Sequence, residues 1–137
     1  MNEAVIDLYE RHAEAWDRDR GRTLFERPWL DRFTEPLSAG ASILDLGCEP
    51  IAGHLVESGF AVTGVDSSPS LIAMARARLP GAEWHVADMR TLDLARRFDA
   101  LLAWHSFFHL SAADQRAMFP RFAAHARPGA MLMFTSG

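Results

Sequence analysis

The chain has 137 residues, about half hydrophobic and about a quarter charged, the balance of one globular domain. A net charge of −4 without a basic patch argues against binding a nucleic-acid backbone. The single cysteine, Cys48, excludes an internal disulfide, and the six histidines show no metal-ligand spacing, so a cytoplasmic protein without a metal site is expected.

Residues 2–18 read as a helix, with Val5, Leu8, His12, Ala15 and Trp16 at helical spacing and charges elsewhere. These charges rule out a signal peptide or a membrane span there. Gly21 breaks the pattern. Residues 23–37 predict a second helix carrying Phe25, Trp29, Phe33 and Leu37 on one stripe, with Pro28 and Pro36 near its ends. The texture then changes. "SILDL" is a short apolar strand closed by Gly47, "IAGHLVESG" a short helix ended by Gly59, and "AVTGVD" a second strand. Ser68 and Pro69 start a helix whose buried face is Leu71, Ile72, Ala75 and Leu79. "AEWHVAD" and "RFDALLAW" predict strands three and four. Ser111 and Asp114 resemble a capping box for a helix over 112–126, lined by Met118, Phe119, Phe122 and Ala126 and kinked at Pro120. "RPGAMLMFTS" reads as a turn and then a fifth strand.

Strands alternating with helices predict a parallel sheet with helices on both faces, a Rossmann-like three-layer α/β/α fold. Its ligand crevice is expected at the carboxyl ends of the strands. The second strand ends in Asp66, placed to accept from both hydroxyls of a ribose. The third ends in "ADM", where Asp88 can accept from an adenine amino group while Met89 lies against the ring.

The ordered set "ILDLGC", "VTGVDSSPSLIAMARARLP", "WHVADMRTLDL", "RFDALLAWHSFFHLSAADQRAMF" and "ARPGAMLMFTSG" resembles the class I S-adenosylmethionine-dependent methyltransferases over about residues 5–137. The resemblance implies one domain, with residues 1–38 as an N-terminal helical cap and 41–137 as the core. It implies S-adenosylmethionine as cofactor and a small-molecule methyl acceptor. Asp45 and Gly47 would shape the first loop under the methionine part, and Asp66 with Ser67 would hold the ribose. Asp88 and Met89 would flank the adenine. Trp104, His105 and Ser106 would end strand four beside the sulfonium and the acceptor, with His105 and His109 as candidate bases. Tyr9 and Trp16 belong to a helix that would close over the cofactor.

Two departures stand out. The family loop runs close to D-x-G-x-G-x-G, whereas positions 47, 49 and 51 here are Gly, Glu and Ile, so about three residues are expected to be missing after Cys48. The family also continues beyond a fifth strand, so "AMLMFTS" is expected as an apolar edge that could pair in a homodimer. An inactive methyltransferase-like module is therefore the alternative. An NAD-type oxidoreductase fits less well, because G-x-G-x-x-G is missing. Each candidate also has a plainer structural use: Asp66 as a capping acid, Asp88 as a turn acid, Asp45 as a loop acid, Trp84 as core.

Overall fold

The computed structural model describes residues 22–47, 49–103 and 110–134. The helix expected over 2–18 lies outside them. Helix α1 (Arg22–Thr34) leads into strand β1 (Ser42–Leu46), helix α2 (Glu49–Glu57) and strand β2 (Ala61–Asp66). Helix α3 (Pro69–Arg78), strand β3 (Glu83–Val86) and a single 3₁₀ turn (Met89–Thr91) follow. Strand β4 (Phe98–Ala103), helix α4 (Ala112–Ala124) and strand β5 (Ala126–Phe134) complete the order.

The five strands form one sheet in the order β3-β2-β1-β4-β5, and every pairing is parallel. Helical crossovers on a parallel sheet bury both its faces, and the strand residues divide accordingly. Leu44 and Leu46 of β1 join Val65, Leu101, Met118 and Phe122 in one cluster. Ile43 joins Leu30, Phe33, Leu55, Ile72, Trp84 and Leu102 in the other. Alternate residues of β1 thus face opposite layers, as a pleated strand requires. In β4 the alternation breaks. Phe98 shares a cluster with Leu101 and Ala103 rather than with Ala100, and the register against β5 shifts between Phe98 and Ala100.

Several local expectations need correction. The second helix stops at Thr34, not residue 37. Thr34 Oγ1 donates to Leu30 O at 3.0 Å, and Pro36 disfavours helical geometry at the residue before it. Trp29 does not belong to the buried stripe. It is 52% exposed with the Arg32 guanidinium 5.6 Å from its ring, while Leu30 and Phe33 face the core. Helix α2 begins at Glu49, so the β1–α2 link is only two residues long. Helix α4 ends at Ala124, two residues short of the expected 126. The turn expected before the fifth strand lies inside it, with Gly129 at φ +79°. The Ser111–Asp114 capping box is half made. Ser111 Oγ accepts from the Asp114 amide at 3.1 Å, but the Asp114 carboxylate turns towards Arg90.

Two polar groups, one buried and one partly exposed, tie the layers together at points the sequence does not announce. His125, 3% exposed, accepts at Nε2 from the Leu94 amide at 3.0 Å. Its hydrogen therefore sits on Nδ1, which donates to Arg121 O at 2.9 Å. At the opening of β1 and β4, Asp99 Oδ2 accepts from the Ser42 amide at 2.9 Å, and Arg127 donates to Oδ1 at 2.9 Å. The Ser42 amide holds the Asp99 carboxyl below its ordinary value; partial burial opposes this and Arg127 adds to it.

A folded value below the unfolded one means stability that is present above the unfolded pKa and lost as pH falls through the folded one. Asp99→Asn is therefore expected to lower stability at pH 7 by about 0.5–1 kcal/mol. Urea denaturation should show the gap to the parent closing between about pH 5 and pH 2. A gap that persists at pH 2 would mean the charge contributes nothing.

Candidate functional site

The carboxyl ends of β1, β2 and β3 lie side by side. Leu46 pairs with Val65, and Asp66 with Val86. The ladder continues past the strands. The Gly47 amide donates to Val65 O at 2.7 Å, and the Ala87 amide donates to Asp66 O at 3.0 Å. Gly47, Asp66 and Asp88 are thereby drawn to one end of three adjacent strands. The order β3-β2-β1-β4 places a switch point beside β1, where chains leave towards opposite faces.

Each position has a local cause. Gly47 adopts φ +86°, a region that glycine enters without a Cβ clash, and it turns the chain directly into α2. Gly53 lies within α2, and a Cβ there would meet only Leu79 at an ordinary 3.8 Å. Asp45 sits within β1 at 1% exposure, a carboxylate set into the middle of the sheet.

Asp66 is half-buried, and its Oδ1 accepts from the Ser68 amide at 2.9 Å, a tight turn that starts α3. Ser68, fully buried, caps α3 by accepting from the Leu71 amide at 3.2 Å. Ser67, between them, has a buried Oγ that meets no hydrogen-bond partner among the described residues. A buried hydroxyl left unbonded costs free energy.

Asp88 caps the 3₁₀ turn, and its carboxylate is heavily engaged. Oδ1 accepts from the Arg90 amide at 2.9 Å and from Arg90 Nε at 3.1 Å. Oδ2 accepts from Nε at 3.0 Å and from Nη2 at 2.6 Å. Burial pushes the Asp88 carboxyl up, but the Arg90 bonds and charge outweigh it and leave the group below its ordinary value. The sequence motifs do not single out Arg90; its one signal is its spacing, two residues after an acid at a strand end. Met89, expected against a ring, is 4% exposed and packs in the core with Leu71 and Leu92. Trp84 is core as well, its Nε1 donating to Leu79 O at 3.1 Å. Tyr9, Trp16, Cys48, Trp104, His105, Ser106 and His109 lie outside the described residues.

Residues 43–129 match a family described as a methyltransferase domain, the span that holds all these strand ends. The chain belongs to that family. It is the class I S-adenosylmethionine-dependent group that the sequence resembles. Among curated proteins, the chain is 33% identical over 133 residues to a dTDP-3-amino-3,6-dideoxy-alpha-D-glucopyranose N,N-dimethyltransferase of Streptomyces fradiae, covering 94% of this chain and 51% of that protein. It is 37% identical over 115 residues to a trans-aconitate 2-methyltransferase of Azoarcus, covering 81% of this chain and 44% of the relative. Among solved structures, the sugar N-methyltransferase KedS8 from Streptoalloteichus superposes with a TM-score of 0.74 at 29% identity, over 96% of this chain and 53% of that one. The chain thus spans about half the length of the relatives it matches. Within the methyltransferase fold, no helix among the described residues is long and apolar enough to cross a membrane.

Proposed function

We propose that this methyltransferase-domain chain binds S-adenosylmethionine over the ends of β1–β3 and takes part in methyl transfer to a small-molecule acceptor. The observation that carries the reading is the Asp66–Ser67 pair: a half-buried acid followed by a buried, unbonded hydroxyl at the end of β2. A ribose hydroxyl would supply the bond that Ser67 Oγ lacks, beside the Asp66 carboxylate. The relatives named for sugar and carboxylic-acid methylation support a small acceptor.

In this reading the cofactor supplies an electrophilic methyl group. Asp66 accepts from the ribose hydroxyls, Ser67 Oγ bonds beside it, and Asp88 lies at the adenine end. Asp45 and Gly47 shape the wall of the first link. Trp104 would lie beside the sulfonium, and His105 or His109 would take a proton from an acceptor that must lose one. Tyr9 would cover the cofactor. The protein's main contribution is alignment and exclusion of water. A single cysteine and a small-molecule acceptor suit a cytoplasmic setting.

A second reading, a methyltransferase-like module without activity, is favoured by one observation. The β1–α2 link holds only Gly47 and Cys48, which leaves little room for a ligand backbone. Calorimetric titration with S-adenosylhomocysteine separates the two. Micromolar binding is expected, and a folded chain that takes up none would leave only the module. Light scattering on the same sample tests the homodimer: among the described residues β5 has a strand neighbour on one side only, two chains per particle are expected if that edge pairs, and a monomer would remove the proposal.

A further inference from the structure

At the adenine end of the site, both oxygens of Asp88 accept from Arg90, through four contacts of 2.6–3.1 Å made by three hydrogens, the Nε hydrogen being shared between the two oxygens. A carboxylate has about four acceptor positions and Arg90 engages both oxygens, so an incoming amino group has to compete with the guanidinium for this carboxylate. Arg90 also has a second carboxylate within reach. Its Nη1 lies 3.6 Å from Asp114 Oδ2, in the first turn of α4. That distance makes an ion pair but is too long for a hydrogen bond. Both the Arg90 and Asp88 side chains are partly open to solvent, at 32% and 25%, so the guanidinium can rotate without disturbing the core.

We propose that Arg90 is a specificity-determining residue: it occupies Asp88 in the empty site and transfers to Asp114 when the adenine amino group takes its place. This rests on the S-adenosylmethionine reading above. The arrangement makes recognition of the amino group an exchange of one partner for another. Moving the guanidinium costs a bidentate pair. Asp114 returns only part of it, because the positive end of α4 already stabilises that carboxylate and opposes a cation beside it. A nucleoside without the amino group gives Arg90 no reason to move and should bind with Asp88 still occupied. The exchange also links the ligand to the first turn of α4.

Calorimetry with S-adenosylhomocysteine and its 6-desamino analogue, on the parent, Arg90→Gln and Asp114→Asn chains, tests the exchange. In the parent, the amino group is expected to improve affinity only a few-fold, because release of Arg90 offsets its bond. Arg90→Gln should raise that ratio about tenfold. Asp114→Asn should weaken the homocysteine compound about threefold and leave the desamino analogue unchanged. A ratio that Arg90→Gln leaves within twofold would overturn the proposal. The nitrogen-bound proton of Arg90 Nε gives an independent readout by NMR without ligand. It should be protected from exchange in the parent and in Asp114→Asn, and exposed in Asp88→Asn. An unprotected proton in the parent overturns the proposal even where ligand binds. A protected proton with no binding to any chain would sink the cofactor reading, and the role assigned to Arg90 with it.

Discussion

Gly64→Ala is expected to destabilise the chain by about 3 kcal/mol, the upper part of the range for forcing atoms into a packed core. A Cβ at Gly64 would stand 2.1 Å from Cζ3 and 2.3 Å from Cε3 of Trp84. Neither side can yield. Gly64 sits mid-strand in β2, paired with Asp45 on one side and Trp84 on the other. The Trp84 ring is 8% exposed and pinned by its Nε1 bond to Leu79 O. The glycine of "GVD" is therefore a packing device: it lets an indole lie flat on the backbone of the neighbouring strand. Urea denaturation followed by circular dichroism should show a lower midpoint with an unchanged slope. Trp84→Leu alone should cost about 2–3 kcal/mol through the volume it leaves. The double variant should cost clearly less than the sum, because the alanine methyl fills space the indole vacated. A Gly64→Ala chain within about 1 kcal/mol of the parent would show that the ring or the strand can shift, against the reading of a rigid contact.

The legible parts of the sequence are those that depend on one short stretch. Strands β1, β2 and β4 announce themselves as apolar runs, because both of their faces are buried. Ser68 with Pro69 marks the start of α3 through one side-chain bond and one missing amide. The ends of elements are harder. Thr34 stops α1 through a back-bond to Leu30 and a proline two residues on, and neither outweighs the apolar spacing that runs to Leu37. Trp29 reads as core by type and lies at the surface, because the stripe that docks is set one residue over, at Leu30 and Phe33. Within the site, Asp66 and Asp88 are visible as acids closing strands. The engagement of both Asp88 oxygens by Arg90 is not. It depends on the backbone bend of a single 3₁₀ turn, which brings an arginine two residues away back onto the same carboxylate. His125 is equally silent, since its two bonds reach back across 31 residues to Leu94 and 4 to Arg121.

Asp66→Asn is expected to weaken binding of S-adenosylhomocysteine about thirtyfold while changing stability by less than about 1 kcal/mol, from the strength of hydrogen bonds to a charged acceptor. The two effects separate because the two jobs of this carboxylate differ. Its Oδ1 accepts from the Ser68 amide and starts α3. Asparagine retains a carbonyl oxygen and keeps that turn. The ribose diol donates two hydrogens and needs acceptors for them. An asparagine offers one oxygen already committed to Ser68 and, in place of the second, an NH₂ group that donates. Donor would face donor, and the ligand loses at least one bond to a charged acceptor. Calorimetry reads the affinity, and thermal denaturation without ligand reads the fold. The 2′,3′-dideoxy analogue of the ligand completes the comparison. It should bind the parent about as weakly as the intact ligand binds Asp66→Asn, and the substitution should hardly affect it. Equal losses for both ligands would place Asp66 in the scaffold of α3, where its bond to Ser68 already puts one of its oxygens.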